Sequence, residues 1–407
     1  MSEWKEVRLG DVTSILGDGI HGTPNYSEEG DYFFINGSNL YEGEIKIKPD
    51  TKRVSEEEYQ KYKKELNDRT LLFSINGTVG NVAKYNGEPC ILGKSACYFN
   101  VLDTVDKNYI YYIVSSPSFI KSMSNLANGT TIKNVSLKQM RDKKFLIPSL
   151  STQRRIASIL SSLDDKIAIN RRICENLEAQ AQALFKHWFI DFAPFKNGKF
   201  VESELGMIPE GWRVVTLDEA TSKFGTGLNP RRNFKLGCGK NYYVTIKNMI
   251  DNRVVLDNKC DFVDDEAIKV IQKRSKLTKG DLLFSGIGTI GRVAMVVDEP
   301  LNWNTSESVF SMHPAEGFST EFIYVLLLSK PLQNYVKTNS QGAVQQGIRM
   351  ASLKAYKFPY PQYDIKEFNE ILKDIISKKT ILEKECDTLS ALRDTLLPKL
   401  MSGEIKV

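Results

Sequence analysis

Side chains that can read DNA are concentrated in several turn-rich segments of this sequence. Asparagine, glutamine, threonine, serine, lysine and arginine carry donors and acceptors that match base edges and phosphates, arginine toward guanine and asparagine or glutamine toward adenine. The candidate residues for DNA contact are Thr23, Asn25, Lys94, Ser95, Thr130, Thr131, Lys133, Asn134, Arg231, Arg232, Lys235, Lys247, Gln345, Gln346 and Arg349. For any single residue a solvated surface role fits equally well, so the prediction depends on the group.

One glycine motif resembles a nucleotide-binding loop. Gly286, Gly288 and Gly291 have the dinucleotide-binding spacing and follow a predicted strand. Such a loop must open a helix whose N-terminus meets the pyrophosphate, whereas residues 292–297 continue as β-prone sequence. The matching segment of the first half, residues 76–80, lacks the first glycine. Both segments are therefore predicted to be tight β-turns.

Common catalytic and metal-binding groupings are absent from the sequence. The histidines are His21, His187 and His313, and none has a second plausible ligand or nucleophile nearby in the chain. There is no Walker A loop, no H-E-x-x-H, no G-x-S-x-G, and no tetrapeptide of the kind with which amino-methylating enzymes hold a flipped base. The six cysteines include no Cys-x-x-Cys pair, which predicts reduced thiols. We expect no catalytic residue, no metal and no cofactor on this chain.

Composition is typical of a globular, soluble protein with more than one domain. The 407 residues exceed what one core usually organises. A net charge of +5 permits nucleic-acid binding without establishing it. The longest apolar run, Phe322 to Leu328, is far short of the roughly 20 residues of a membrane span, and no secretory signal precedes Trp4. These features predict a cytoplasmic protein.

The elements that must position the candidate residues occur twice. Leu71–Ser74, followed by Gly77–Gly80, returns 211 residues later as Leu282–Ser285, followed by Gly288–Gly291. Further anchors match in the same order, for example Asn39 with Asn248, while the loops between anchors scarcely match. Units of this size are domains rather than solenoid repeats. The pattern predicts a duplicated frame that presents different loop tips, and hence a partner with two similar sites.

Each copy divides into a mixed region and a helical region. Strands are predicted at Tyr32–Ile35, Thr70–Ser74, Val79–Tyr85 and Cys97–Val101, and helices at Ser55–Leu66 and Lys107–Ser115. After Pro148 and Pro361 apolar residues recur at heptad spacing. The predicted seam residues are Ile156, Leu160, Leu163, Ile167, Asn170, Leu177 and Leu184, followed by Leu372, Ile375, Leu382, Leu389 and Leu396.

The two helical regions are expected to pair with each other. A helix over residues 153–189 would be about 55 Å long, and an amphipathic helix needs a partner for its apolar stripe. Antiparallel pairing is the main prediction; the alternative is that each helix packs only on its own module. Asn170, the single polar residue in the first seam, is hypothesised to fix the helix register.

The predicted fold is α+β, with two similar mixed modules separated by two long antiparallel coiled-coil helices in a pseudo-two-fold repeat. The predicted boundaries are 1–150 for the first module, 151–192 for the central helix, 193–211 for a linker, 212–363 for the second module and 364–407 for the C-terminal helix. Modules held on helices of this length could contact DNA segments about one helical turn, roughly 34 Å, apart. Helix length is therefore predicted to set the spacing of two half-sites.

Several motifs resemble those of one family over nearly the whole chain: the DNA-specificity subunit of type I restriction-modification systems. The motifs that carry the resemblance are Trp4–Asp11, the two Leu-Leu-Phe-Ser turns, Ile147-Pro148 with Gln153–Ala157, Leu184–Phe192, and Leu396–Ile405. The second half departs from the first in having Lys366–Phe368 where the first has Arg154–Ile156. Contacts made by this first helical turn are therefore not expected to be equivalent.

The resemblance implies a non-catalytic subunit with two target-recognition domains. Each domain would read one half of a bipartite site in double-stranded DNA, and the helices would dock two adenine methyltransferase subunits, to which restriction subunits can add. S-adenosylmethionine, and ATP with Mg for restriction, would be used by those partners, and the complex would lie on the bacterial nucleoid. Two other classes remain as alternatives: an enzyme with a cryptic nuclease or methylase site, and a free-standing DNA-binding or scaffold protein.

Overall fold

The computed structural model describes residues 4–127, 133–231, 233–342 and 346–407. Their contacts divide the chain into two compact units. Unit 1 comprises the chain up to Ile169 together with Glu385–Val407, and unit 2 comprises Asn170–Lys384. Each unit contains one mixed module and a part of each of the two long helices.

Short strands alternate with turns in both modules. The strands of unit 1 are β1 Lys5–Arg8, β2 Thr13–Asp18, β3 Tyr32–Ile35, β4 Leu40–Tyr41, β5 Glu44–Ile45, β6 Arg53–Val54, β7 Thr70–Ser74, β8 Val82–Lys84, β9 Cys90–Leu92, β10 Ala96–Val101 and β11 Lys144–Ile147. The strands of unit 2 are β12 Phe200–Ser203, β13 Gly206–Pro209, β14 Trp212–Thr216, β15 Thr221–Thr226, β16 Asn241–Val244, β17 Met249–Ile250, β18 Arg253–Val254, β19 Asp261–Val263, β20 Leu282–Ser285, β21 Val293–Met295, β22 Trp303–Thr305, β23 Val309–Pro314 and β24 Lys357–Pro361.

Most of the module helices begin at a side chain that caps them. Asp106 accepts a hydrogen bond from the Tyr109 amide (2.8 Å) and Asp264 from the Ala267 amide (2.8 Å), which satisfies N–H groups that have no partner within the helix. The helices are α1 Glu56–Tyr62, α2 Lys107–Ser115, α3 Pro117–Leu126, α4 Leu137–Asp142, α5 Leu150–Phe185, α6 Asp265–Ser275, α7 Thr320–Leu328, α8 Lys330–Thr338, α9 Met350–Lys354 and α10 Lys366–Ser402. No helix within the described ranges is long and apolar enough to span a membrane.

The two modules have the same strand topology. In unit 1 the sheets run β2-β10-β7-β8 and β6-β3-β9, with the pairs β1-β11 and β4-β5. In unit 2 the corresponding sheets run β15-β23-β20-β21 and β19-β16-β22, with the pairs β14-β24 and β17-β18. Even the one parallel pair in the three-stranded sheet recurs, as β3 beside β9 and β16 beside β22. The internal repeat predicted from the sequence is confirmed at the level of topology.

The predicted elements differ from the observed ones mainly at their ends. The helix predicted at Ser55–Leu66 ends at Tyr62, because the backbone of Lys63 leaves the helical region (ψ 146°). The strand predicted at Val79–Tyr85 is confined to β8, because the residues before it form a turn. The chain at 200–209, which was predicted as part of a linker, forms the antiparallel hairpin β12–β13.

Each unit has its own apolar core, to which both long helices contribute. In unit 1, Ile156 and Leu160 of α5 and Leu400 of α10 pack with the module core around Phe99 and Tyr109. In unit 2, Ala181 and Phe185 of α5 and Phe368 and Leu372 of α10 pack around Phe322. The long helices therefore pack on the modules as well as on each other.

The two long helices run antiparallel within each unit. In unit 1, Asp164 of α5 pairs with Arg393 of α10 (2.8 Å). Further along α5, the Ile167 carbonyl accepts a hydrogen bond from the Cys386 thiol (3.8 Å), which precedes Arg393 in α10. The same reversal holds in unit 2, where the Cys174 thiol donates to the Lys379 carbonyl (3.7 Å). Trp188, in the π-helical turn that follows α5, packs on Phe368, which precedes Lys379 in α10 (5.3 Å between ring centroids). Antiparallel pairing, the main prediction for these helices, is confirmed.

The twelve predicted seam residues all lie at least partly inside. The buried ones are Ile156, Leu160, Ile167, Asn170, Leu177 and Leu372, and the half-buried ones are Leu163, Leu184, Ile375, Leu382, Leu389 and Leu396. In α10 the neighbouring Ile376 and Leu397 are more deeply buried than Ile375 and Leu396. This follows from the packing of α10 on the modules, since a helix that is covered on two sides buries adjacent positions.

Candidate nucleic-acid interface

A serine holds the glycine turn of each module in place. The Ser74 hydroxyl donates to the Thr78 carbonyl (2.6 Å) and accepts from the Asn81 amide (2.7 Å). The Ser285 hydroxyl makes the same two bonds with Thr289 and Arg292 (2.7 Å each). β20 continues into the antiparallel strand β21 rather than into a helix, which agrees with the β-turn interpretation and excludes a dinucleotide loop at this place.

The turn of unit 1 gathers three chain segments at one edge of the module. The Gly77 amide donates to the Lys133 carbonyl (3.0 Å), the Val135 amide to the Ile75 carbonyl (2.9 Å), and the Ile75 amide to the Ser95 carbonyl (3.0 Å). Lys94, Lys133 and Asn134 are exposed here. We call the described residues of 19–25, 36–39, 75–80, 94–95 and 133–135 loop edge 1.

Unit 2 builds a corresponding edge with different side chains. The Gly288 amide donates to the Gln346 carbonyl (2.8 Å), the Ile348 amide to the Gly286 carbonyl (2.9 Å), and the Gly286 amide to the Ser308 carbonyl (2.9 Å). Gln346 and Arg349 are exposed. We call the described residues of 227–235, 245–248, 286–291, 306–308 and 346–349 loop edge 2.

The position after each turn links it to a short 3-10 helix. The Asn81 amide group donates to the Gly37 carbonyl (3.2 Å), and the Arg292 guanidinium donates to the Ile246 carbonyl (2.8 Å). Lys247, which is exposed, lies on this 3-10 helix of unit 2. Asn81 and Arg292 thus make corresponding contacts in the two units, and Lys247 lies at loop edge 2.

The first loop of each edge, which we call the leading loop, comprises residues 19–25 in unit 1 and the described residues of 227–235 in unit 2. Thr23, Asn25, Arg231 and Lys235 are all exposed on these loops. The Ile20 amide donates to the Leu92 carbonyl (2.8 Å), which brings the first leading loop close to Lys94. In the second leading loop, the Cβ of any side chain at Gly227 would lie 1.7 Å from the Thr305 carbonyl oxygen. Only glycine therefore allows this loop to lie so close to Thr305.

One candidate is turned inward instead. The Ser95 hydroxyl donates to the Asn36 side-chain oxygen (3.0 Å) and accepts from the Gly37 amide (2.9 Å). These bonds join two segments of loop edge 1. Four further candidates, Thr130, Thr131, Arg232 and Gln345, lie outside the described residues.

Six exposed cations give the two edges a positive character. They are Lys94, Lys133, Arg231, Lys235, Lys247 and Arg349. None of the six forms an ion pair with another residue that the structure describes. Their charges are therefore available to phosphates, which attract lysine and arginine irrespective of sequence. In the same described ranges no cluster of histidine, cysteine, aspartate and glutamate could hold a metal ion.

The residues that support the edges were only partly indicated by the sequence. Asn39 and Asn248, both buried, accept hydrogen bonds from the backbone amides of Asn36 and Thr245 (3.0 Å each). These asparagines match in the internal repeat and were identified from it as frame anchors, but the hydrogen bonds that they accept were not predicted. Glu58 and Glu307, which bind the leading loops, have no counterpart in the other half and gave no such signal.

Comparison with known proteins identifies one group. A family model described as "Type I restriction modification DNA specificity domain" matches residues 1–179 and 209–389. The chain is 26% identical to the type I restriction enzyme MjaIX specificity subunit of Methanocaldococcus jannaschii, over 83% of this chain and 78% of that one. It is 25% identical to the MjaVIII specificity subunit of the same organism, over 100% and 93% of the two chains.

A bacterial relative and a crystal structure extend the comparison. The EcoBI specificity subunit of Escherichia coli is 23% identical over 82% of this chain and 73% of that one. The crystal structure of a type I restriction-modification system S subunit from M. genitalium covers 98% of this chain and 96% of its own, with 20% identity and a TM-score of 0.54. At this identity the structural likeness supports the fold alone.

Proposed function

Because the chain belongs to the type I restriction-modification DNA specificity family, we propose that its two modules read the two halves of a bipartite DNA target. Members of this family are specificity subunits, which recognise DNA sequence and leave catalysis to other subunits. This chain is accordingly a non-catalytic specificity subunit. Its half-sites, its docking partners and the residues that contact DNA are the subject of the proposal.

The observation that carries the proposal is the combination of a repeated frame with unequal loop tips. Ser74 and Ser285 make the same two hydrogen bonds in the two modules. By contrast, Lys94 and Glu307 differ although they occupy the same position of the frame. The amides of the preceding residues, Gly93 and Ser306, donate to corresponding strand carbonyls, those of Ile35 and Val244. Opposite charges at one frame position support the proposal that the two modules have different base preferences.

We assign DNA contact to the two loop edges. The six exposed cations would bind phosphates or guanine edges, while Thr23, Asn134 and Gln346 have the donors and acceptors that read bases. Thr130, Thr131, Arg232 and Gln345 remain predicted contacts from the sequence. Asn25 and Ser95 are engaged within the protein, so we propose that their part is to hold the loops.

We further propose that the long helices dock two methyltransferase subunits. In unit 1, Ile159 and Ile169 of α5 are 37% and 52% exposed; in unit 2, Ile371 and Ile381 of α10 are 42% and 66% exposed. Apolar side chains that remain outside the cores offer surface to a protein partner. Restriction subunits would join this complex, and the partners would supply S-adenosylmethionine, ATP and Mg chemistry in the cytoplasm. In this proposal the chain keeps the five segments predicted from the sequence: two recognition modules, two docking helices and a linker.

Reconstitution tests this function. The purified chain alone should transfer no methyl groups, whereas the chain combined with the methyltransferase subunit of its own system should methylate adenines within a bipartite sequence. Methyl transfer by the chain alone would favour the cryptic-enzyme alternative. Failure to capture a methyltransferase from the host would favour a free-standing DNA-binding protein.

A further inference from the structure

A buried glutamate binds the leading loop of unit 1. Glu58 of α1 is 7% exposed, and its two carboxylate oxygens accept from the Asn25 backbone amide (3.0 Å) and from the Asn25 side-chain amide group (3.2 Å). Lys61, one helical turn away, approaches Glu58 at 3.8 Å. Burying a carboxylate is costly unless hydrogen bonds satisfy it, so that the two Asn25 bonds are needed by Glu58 as much as by the loop.

Unit 2 contains the same pairing of a glutamate with a leading-loop asparagine. One oxygen of Glu307 accepts from the Asn229 side-chain amide group (2.5 Å), and the other lies 3.3 Å from the Tyr243 hydroxyl. That hydroxyl is also 2.8 Å from the Leu228 carbonyl, in the same loop. Glu307 and Tyr243 therefore hold two consecutive residues of the second leading loop.

The two glutamates occupy different positions of the repeated frame. In the strand pair β3–β6 Tyr32 faces Val54, and in β16–β19 Asn241 faces Val263, so Val54 corresponds to Val263. Glu58 lies four residues after Val54, and the residue four positions after Val263 is Ala267. The residue corresponding to Glu307 in unit 1 is Lys94, as shown above. Frame residues such as Ser74 and Ser285 repeat, whereas these two glutamates do not, and each module lacks the contact that the other uses.

We propose that Glu58 and Glu307 are positioning residues that determine which bases each module accepts, by holding the leading loop against the rest of its loop edge. This inference rests on the proposed function and extends it to residues that do not themselves touch DNA. The hydrogen bonds to the carboxylates, two from Asn25 and one from Asn229, restrict the orientation of each leading loop. The choice of base depends on where the backbone places each side chain. The exposed Thr23 and Arg231 would be oriented in this way.

Exchanging the donor and acceptor roles tests the proposal. Glu58→Gln retains one acceptor oxygen for the Asn25 backbone amide but turns an amide donor toward the Asn25 side-chain amide group. This second bond then forms only if the Asn25 side chain turns over, and its charge-assisted character is lost in either case. The double variant Glu58→Gln with Asn25→Asp restores it with reversed polarity and unchanged net charge. In unit 2 a glutamine at this position still accepts from Asn229 while donating to Tyr243, so Glu307→Leu, which removes both contacts, is the variant there. Glu57→Gln and Glu316→Leu, at exposed glutamates, are the matched controls.

The measurement is methylation by the full chain assembled with its methyltransferase subunit, on DNA that carries each single-base change in either half-site. Glu58→Gln should lower the preference for the cognate bases of one half-site by about tenfold, leave the other half-site unchanged, and be rescued by Asn25→Asp. Glu307→Leu should affect only the opposite half-site. Both controls should behave as the unaltered chain.

Three outcomes would overturn the inference. A uniform loss over both half-sites, accompanied by a lower melting temperature, would make the glutamates merely structural. Unchanged base preference in the single variants would do the same. Failure of Asn25→Asp to rescue Glu58→Gln would mean that Asn25 itself reads a base. These outcomes differ from failure of the proposed function, in which the unaltered complex would show no bipartite preference at all.

Discussion

The two turn serines are the residues on which both loop edges depend. Ser74 and Ser285 are fully buried, and each satisfies one backbone carbonyl and one backbone amide of its turn. Their glycine turns reach positive φ angles at Gly77 and Gly288, of 75° and 85°, where a side chain would be strained. The edge segments bind to these turns, so a change in the serine should be transmitted to the edge.

We predict that Ser74→Ala and Ser285→Ala destabilise the protein by similar amounts. Each removes two hydrogen bonds from a partly buried turn, one to a backbone carbonyl and one from a backbone amide, at a cost of about 1–3 kcal/mol for the two. Urea unfolding of the full chain should show a lower midpoint for both, with Ser377→Ala, at an exposed serine of α10, as the control. An unchanged midpoint in either variant would mean that water replaces the serine at that turn.

Residue types indicated the chemistry of the edges better than the role of single residues. Exposed Lys94, Lys133 and Arg349 lie where the sequence suggested. Asn25 and Ser95 have the same chemistry, but their polar atoms are bound within the protein. Sequence alone cannot separate these cases, because an asparagine that reads a base and one that binds a glutamate are identical until the fold brings Glu58 to it.

At the scale of elements, a buried lysine joins both long helices to α7 of the second module. Lys379 of α10 is 5% exposed and pairs with Glu178 of α5 (3.3 Å) and with Glu383 (2.9 Å). Its ammonium also lies 3.3 Å from the Tyr324 hydroxyl of α7. Burial opposes the charged form, but Tyr324 and Glu383 outweigh it and raise the pKa of Lys379 above its ordinary value. Lys379 therefore stays charged and joins three helices.

Lys379→Met should lower the free energy of unfolding by about 2 kcal/mol. Removing one partner of a buried pair costs about 3–5 kcal/mol, and partial exposure of Glu178 and Glu383 reduces that figure here. Chemical denaturation of Lys379→Met beside Lys378→Met, whose lysine is exposed, would measure it. A variant as stable as the unaltered chain would show that methionine packing compensates for the lost charge pair.

Regular elements were the most predictable part of the fold. The bounds predicted for Thr70–Ser74 and Lys107–Ser115 are those observed, because β-branched and apolar periodicity marks buried elements along their whole length. The hairpin β12–β13 was missed, although Phe192 and Phe195 beside it pack on Trp212 (5.4 and 5.1 Å between ring centroids). A short hairpin that is held by aromatic contacts from neighbouring residues carries little periodic signal of its own.

At the scale of the whole molecule, helix length is the feature that we propose to set the spacing of the half-sites. The predicted role of Asn170 in fixing helix register belongs to the same proposal. Adding four residues to α5 between Asp164 and Cys174, and four to α10 between Lys379 and Arg393, would lengthen each helix by about 6 Å. With DNA rising about 3.4 Å per base pair, the preferred spacer should grow by one or two base pairs.

The control for this insertion is a chain with four residues added at the β12–β13 turn, between Ser203 and Gly206, which leaves both helices unaltered. Methylation of DNA libraries with graded spacers would compare the two. Lengthened helices with an unchanged preferred spacer would contradict the proposed link between helix length and spacing.

The central claim is that each module reads its own half-site, and an exchange of one module tests it most directly. Residues 1–148 would be replaced by the equivalent module of a family member with a different target, leaving α5, which begins at Leu150, and all of unit 2 in place. The methylated adenines of a genome expressing the complex would then be mapped. We predict that one half of the bipartite motif changes while the other half and the spacer are retained; a change in both halves, or a continuous motif, would contradict independent reading.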